Sequence, residues 1–370
     1  MTNQRVILHL SLIDGIGPAV IQALIGKKTD VWQWCDLHTL SVSEFRLHFG
    51  FLEKVSRKIK EGLSDRAKID NELELIEKCQ IKMVTILDDD YPELLKHIHL
   101  PPSVLYVQGA NLNSFDKSMA VVGSRAMNWY GKQAIDILLP SLVQEDFAIV
   151  SGGARGVDSC AHRAALDNSG KTIAVLGSGL LRPYPTCNKK LFKEIVDKGG
   201  AVVSSFPLNM DALPGNFPAR NRIISGLSLG CLVVQAAKKS GAGITARFAL
   251  EQGRDVFAIP GQIDDSLSVG CHKLIQSGAK LVYLPDDILE EYEWLKPQKN
   301  CKRSSQAGSG SLRKHINPEF AKILSHCSNP VAIDDLSAIT GINVHNLHEY
   351  LFEMQVQGIV SQCMGLWQRS

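Results

Sequence analysis

The run FPARNRIISGLS, residues 217 to 228, sets Arg220 and Arg222 on either side of Asn221 and then turns at once into an apolar helical pattern. Guanidinium forks match phosphate or carboxylate oxygens in bidentate fashion, so the segment is suited to holding an anion. Four other segments join bases to small residues: Gly123-Ser124-Arg125; Ser151-Gly152-Gly153-Ala154-Arg155-Gly156; Gly177-Ser178-Gly179 running on to Arg182, Tyr184, Asn188, Lys189 and Lys190; and Lys238-Lys239-Ser240-Gly241-Ala242-Gly243. Glycines let a backbone approach phosphate, and helix N-termini point free N–H groups at it. A single phosphate needs one or two such loops. A polynucleotide backbone needs a longer track, and Phe217 and Tyr184 offer aromatic faces for its bases. Taken singly, each feature also has a purely structural reading. Gly-Ser-Arg is a common helix entry, Arg220 or Arg222 can pair with Asp211 or Glu251, and Phe217 can serve as a hydrophobic staple. Arginines at i and i+2 point in different directions on a helix, so one is expected to face the anion and the other the fold, in an order the spacing does not decide.

Catalytic patterns are weaker. Asp158 and His162, at i and i+4, can form an acid–base pair, or Asp158 can complement a helix dipole while His162 packs behind it. The dinucleotide fingerprint needs G-x-G-x-x-G after the first strand, where this chain has GSRAMNWYG, and there is no P-loop. No carboxylate cluster suits magnesium and no cysteine pair suits zinc, so neither metal nor cofactor is expected. SGAGITARFALEQG is similar to the P-G-G-x-G-T-x-x-E signature of lysine-decarboxylase-like phosphoribohydrolases, with Ser240 in place of proline and Glu251 beyond the acidic position. A nucleotide-processing enzyme is therefore the alternative function.

These loops need a frame. Residues 1–80 show helical spacing interrupted by the turn Asp14-Gly15-Ile16-Gly17-Pro18, which can simply join two helices or present N–H groups to a DNA phosphate. From 81 to 292, apolar runs at 119, 147, 172, 201, 231, 255 and 280 alternate with helical patterns, as in a Rossmann-like α/β domain with a parallel sheet. Residues 293–314 read as a flexible linker, and 315–370 follow the order of a winged helix. From Val331 to Gln368 there is no Lys or Arg, so that domain is expected to contact protein, or DNA only feebly. The 40 Lys+Arg against 38 Asp+Glu mean that any basic site is local. The 9 scattered cysteines, the absence of a long apolar run and the absence of a cleavable leader set the expectation of a reduced, cytoplasmic protein without a membrane anchor.

Six motifs in order, VVGSR, SGGARGVDSCAHRAAL, GKTIAVLGSGLLRPYPTCNKKL, FPARNRIISGLS, KSGAGITARFALEQGRDVFAIPG and GCHKLIQSGAKLV, resemble the DNA-processing protein A (DprA, or Smf) family. Its flanks resemble a sterile-alpha-motif-like helical domain and a winged-helix tail. The resemblance implies a non-catalytic protein that binds incoming single-stranded DNA in natural transformation, shields it and loads the RecA recombinase. It assigns DNA contacts to Gly123, Ser124, Arg125, Gly152, Gly153, Lys189 near Asn188, Phe217, Arg220 and Arg222; Asn221, Lys239, Ser240 and Gly241 join them from the loops. It also implies a homodimer through the helix carrying His272 and Ile275. Where family members often have Glu, this chain has Ser205 and Gln235, substitutions expected to remove negative charge near the groove.

Overall fold

The computed structural model describes residues 2–27, 34–295, 318–327, 331–356, 360–363 and 366–369. Residues 82–109 supply β1 (Lys82–Thr85) and β2 (Val104–Gly109). Each of the seven apolar runs then forms a strand: β3 (Ser118–Val122), β4 (Ala148–Ser151), β5 (Thr172–Val175), β6 (Ala201–Ser204), β7 (Gly230–Val233), β8 (Asp255–Ala258) and β9 (Lys280–Leu281). They make one sheet of order β1-β2-β6-β5-β4-β3-β7-β8-β9. It is parallel from β6 through β9, with β2 antiparallel to β6 and β1 antiparallel to β2. The chain winds outward from β3 to β6, then crosses to the other side of β3 with β7. Loops leaving β3 and β7 therefore diverge, opening a crevice at the strands' carboxyl ends.

Helices cover both faces: α1 (Asn3–Ser11), α2 (Pro18–Gly26), α3 (Val42–Phe49), α4 (Glu53–Ser64), α5 (Arg66–Lys78), α6 (Glu93–Lys96), α7 (Trp129–Gln144), α8 (Val157–Asp167), α9 (Lys189–Asp197), α10 (Asn216–Gly226), α11 (Gly241–Glu251), α12 (Val269–Gln276) and α13 (Asp286–Leu289). The period of two along each strand decides which core a residue joins. Ala120 and Val122 lie with Val175, Val203 and Val233 against Ile223 of α10 and Ala246 of α11. Met119 and Val121 face the other way, onto Leu138 of α7 and Ala161 of α8. On that second face, Tyr106, Ala174 and Val202 meet Ile195 of α9 together with Val6, Ile7 and Leu10 of α1. The N-terminal helices and the sheet thus share one core, within a compact unit spanning Met1–Pro297.

A second unit spans Gln298–Ser370. It contains α14 (Pro318–Leu324), β10 (Val331–Ala332), α15 (Ile333–Thr340), α16 (Val344–Val356), β11 (Val360–Cys363) and β12 (Leu366–Arg369), with antiparallel strand order β10-β12-β11. Ile323, Leu336, Leu351 and Trp367 form its core. The expected linker, 293–314, lies outside the described residues from 296 onward.

One polar contact ties α5 to the strand-end loops. The buried Glu72 accepts at Oε1 from the Leu208 N–H, 2.8 Å away, in the loop after β6. Glu72→Ala would leave that buried donor without its acceptor and should destabilise the fold by about 1–3 kcal/mol. A lowered urea midpoint checks this; an unchanged midpoint would show that the loop is held elsewhere.

Candidate nucleic-acid interface

The five base-bearing loops follow β6, β5, β4, β3 and β7, five adjacent strands in the sheet. At about 4.8 Å between strands the sheet edge beneath them spans roughly 19 Å, and α10 carries the segment after β6 back across it, so that Asn221 reaches Gly241 in the loop after β7. Two hollows open among them. One of about 390 Å³ is lined by Arg125, Gly152, Arg155, Tyr184, Phe217 and Arg220. The other, of about 420 Å³, lies at the crevice and is lined by Gly123, Ser124, Arg125, Asp158, Arg220, Asn221, Lys239, Ser240 and Gly241. Arg125, Ala126, Ala154 and Arg220 border both, so the two form one groove. Its lining holds four cations, Arg125, Arg155, Arg220 and Lys239, against the single acid Asp158.

The arginines have different surroundings. Arg125 is exposed, and its guanidinium rests 5.2 Å from the centre of the Phe217 ring, within cation–π range. Phe217 meets Tyr184 edge-on at 5.9 Å, and a Cβ on Gly177 would come within 3.1 Å of its ring. Phe217 is therefore largely occupied as a seat for Arg125. Tyr184, 46% exposed, is the freer aromatic face.

Arg220 lies in the groove floor with 4% exposure and donates from Nη1 to the Val175 carbonyl at 3.2 Å. A Cβ on Gly152 would stand 1.5 Å from that nitrogen and 2.6 Å from Asp158 Oδ2, so the slot exists because residue 152 has no side chain. Burial brings Arg220 down to about 10, with Asp158 opposing the shift, which leaves it charged at neutral pH. Burial also raises the Asp158 carboxyl; Arg220 and a 3.2 Å hydrogen bond from the Ala154 N–H hold it back. Behind them, His162 Nδ1 lies 2.7 Å from Thr172 Oγ1, whose hydroxyl donates to the Ile149 carbonyl at 2.5 Å. The imidazole must then donate through Nδ1. Burial, reinforced by Arg220, pushes His162 down to about 3, so it is neutral. His162 is thus committed to Thr172, with no exposed surface, rather than poised with Asp158 as an acid–base pair.

The remaining residues divide between support and surface. Asn188 Nδ2 donates to the Gly153 carbonyl at 2.9 Å and Asn221 Nδ2 to the Gly241 carbonyl at 3.3 Å, so both buried amides tie separate strand-end segments together. Gly153 is buried at φ +65°, a conformation that favours glycine. Ser240 caps α11 by accepting from the Gly243 N–H. A Cβ on Gly123 would press within 2.6 Å of Val157. Lys189 is exposed at the start of α9, outside the residues lining the two hollows. Arg222 points to the other flank of α10, donates to the His99 carbonyl at 2.7 Å, and lines a separate hollow of about 220 Å³ with Pro18, Ser103 and Phe206. Neither arginine pairs with Asp211 or Glu251; Glu251 takes Arg247 at 3.5 Å. Ser205 also lines that separate hollow, and Gln235 is buried against Asn128, so the two expected charge losses fall outside the groove lining. His272 Nε2 lies 3.0 Å from the Gly261 carbonyl, and Ile275 is half-buried against the sheet core. Among the described residues, no group of three His, Cys, Asp or Glu could hold a metal ion, and no helix is long and apolar enough to cross a membrane.

The model of the family named DNA recombination-mediator protein A matches residues 82–293, the whole of this sheet domain. The chain belongs to this family. Protein Smf of Escherichia coli is 38% identical over 309 residues, covering 81% of this chain and 80% of that protein. DNA processing protein DprA of Streptococcus pneumoniae is 47% identical over 211 residues, 57% of this chain and 74% of that one. The solved structure of the pneumococcal protein aligns with a TM-score of 0.67 at 38% identity, covering 79% of this chain and 98% of that one. A Helicobacter pylori DprA, solved for its single-stranded DNA binding mode, aligns with a TM-score of 0.52 at 29% identity, over 58% and 95%. The six motifs thus identified the family, a family of DNA recombination mediators. They singled out neither Arg155, which lines the first hollow, nor the seating of Arg125 on Phe217. The only sequence signal for Arg155 is its place in the second glycine loop.

Gly152→Ala forces a methyl into the Arg220 slot and should destabilise the protein by about 1–3 kcal/mol or more. Gly241→Ala, in open space, should stay within about 0.5 kcal/mol. Thermal unfolding of both variants checks the contrast, and equal melting temperatures would refute the slot.

Proposed function

We propose that this chain binds single-stranded DNA along the strand-end groove, shields it from nucleases, and passes it to the RecA recombinase during natural transformation. The observation that carries this reading is the continuous groove, four cations against one acid in a chain whose overall charge is only +2. The Helicobacter relative, known for its single-stranded DNA binding mode, supports it. In this reading Arg125, Arg155 and Lys239 hold phosphates, Tyr184 stacks a base, and Gly123, Ser124, Gly152, Gly153, Ser240 and Gly241 let the strand approach. Phe217, Arg220, Asn221 and Asn188 set the groove's shape, while Arg222 and Lys189 lie beside the path. The protein is cytoplasmic and acts without an enzymatic step. The phosphoribohydrolase alternative fares worse, since Glu251 ends α11 about 15 Å along the helix from the groove.

In this reading residues 1–80 form a sterile-alpha-motif-like domain that shares its core with the 81–292 domain, and residues 315–370 belong to a winged helix. A homodimer forms through α12, with His272 and Ile275 at the contact. The neighbouring sheet edge at β9, where Leu281, Tyr283 and Leu284 are exposed, supports such pairing. The winged helix has no Lys or Arg from Val331 to Gln368, which favours a protein partner for it over a duplex.

Arg125→Ala should weaken oligothymidylate binding about tenfold and lower the slope of log affinity against log salt by about 0.7. Tyr184→Ala should cost about 1–3 kcal/mol of binding. Arg222→Ala should leave the affinity within about twofold. Fluorescence anisotropy across a salt series reads all three; an Arg125→Ala variant that folds and binds like the parent would sink the proposal.

A further inference from the structure

The groove has a neighbour that its five loops line only on one side. Beyond Lys239, a further hollow of about 280 Å³ opens between the start of α11 and α12. It shares Ala237, Lys239 and Ser240 with the crevice hollow, so the two are continuous. Its lining holds four cations, Lys238, Lys239, Arg247 and Lys273, and no acid. Lys238, Lys239 and Lys273 make no ion pair among the described residues, and all four cations are exposed. Arg247 has Glu251 at 3.5 Å, with both side chains more than half exposed, a pairing too weak to withhold the guanidinium from another anion. Gly241 and Gly243 have nothing within 4 Å of where a Cβ would stand, which leaves the first turn of α11 open to close approach. The first amides of that helix have no acceptor within it and add positive potential.

We infer that the bound strand does not end at Lys239 but continues into this hollow, where Lys238, Arg247 and Lys273 hold the phosphates that follow those on Arg125 and Lys239. This rests on the single-stranded DNA reading and extends it. A free nucleotide would need only one hollow. A backbone needs consecutive ones, and continuity with the groove therefore favours the strand over an acidic protein segment.

The test compares the parent chain with the Arg247→Ala/Lys273→Ala double variant, full length, on oligothymidylates of about 5, 10 and 20 nucleotides, a range set by site sizes of about 4–16 nucleotides per single-strand-binding fold. Both residues are exposed, so the fold should survive. The shortest oligonucleotide fills the groove around Arg125 and should bind the variant within about twofold of the parent. The longest should bind roughly tenfold more weakly, with the salt slope lowered by about 1.4 for two lost phosphate contacts. Equal binding of the longest oligonucleotide by both chains overturns the inference, as does a loss shared equally by all lengths. If the variant sediments as a smaller species, whatever its binding, the hollow is a contact between copies and the inference is likewise overturned. A parent chain that binds no oligonucleotide of any length overturns both this inference and the reading beneath it.

Discussion

The groove is built over a buried positive charge. Arg220 reaches into the floor between β4 and β5, where a guanidinium removed from water must be compensated or its burial would cost several kcal/mol. Compensation comes from Asp158 across Gly152 and from the Val175 carbonyl, so three separate strand-end segments must arrive in register for the charge to be tolerated. Arg220 Nε still lacks a partner among the described residues. The compensation is therefore incomplete, leaving positive potential at the floor, where low-dielectric walls focus it toward the opening. Arg125 feels that charge as repulsion and sits outward on Phe217 rather than sinking beside Arg220. One cation shapes the surface and a second, held clear of it, presents charge to solvent.

The sheet order makes this arrangement possible. Winding from β3 out to β6 and then back across to β7 brings five consecutive loop-bearing strands together without interruption, with the reversal at their β3–β7 boundary. Asn188 and Asn221 then lace loop to loop through backbone carbonyls, which fixes the spacing of the cations without adding negative side chains. Glu72 does similar work from farther away, reaching from α5 to the backbone beyond β6. The N-terminal helices accordingly join the sheet domain through a shared core and one buried carboxylate.

Much of this could be read in the sequence, and the reason is physical. Strands buried on both faces need continuous apolar runs, so MAVVG, TIAVLG and CLVVQA announce themselves, and the loops after them are where a parallel sheet presents chemistry. The roles of the arginines were not readable. In FPARNRIISG, Arg220 looks as exposed as Arg222, and what separates them lies elsewhere: a missing side chain at Gly152, the Val175 carbonyl, and a His99 carbonyl that captures Arg222 on the far flank of α10. No local periodicity encodes partners that distant. Phe217 was legible as an aromatic near the site, yet its contact with Arg125 depends on two loops 92 residues apart in the chain. The antiparallel pairing of β1 and β2 and the core shared with α1 were equally hidden, since both depend on which sheet edge residues 82–109 reach.

The same burial that shapes the groove also bears on what the groove can do to its ligand. Cleaving a phosphodiester or glycosidic bond calls for an activated nucleophile, a proton donor or acceptor at the reacting atom, or a metal ion. Asp158 in the groove's lining and His162 buried behind it are the two groups that could form an acid–base pair. Asp158 balances Arg220 and accepts from Ala154, while His162 is buried, neutral and turned to Thr172, with the charge of Arg220 further opposing its protonation. Freeing either for proton transfer would leave Arg220 uncompensated or require the histidine to take up charge beside it. The electrostatics that let the floor carry a positive charge therefore hold both groups in structural roles.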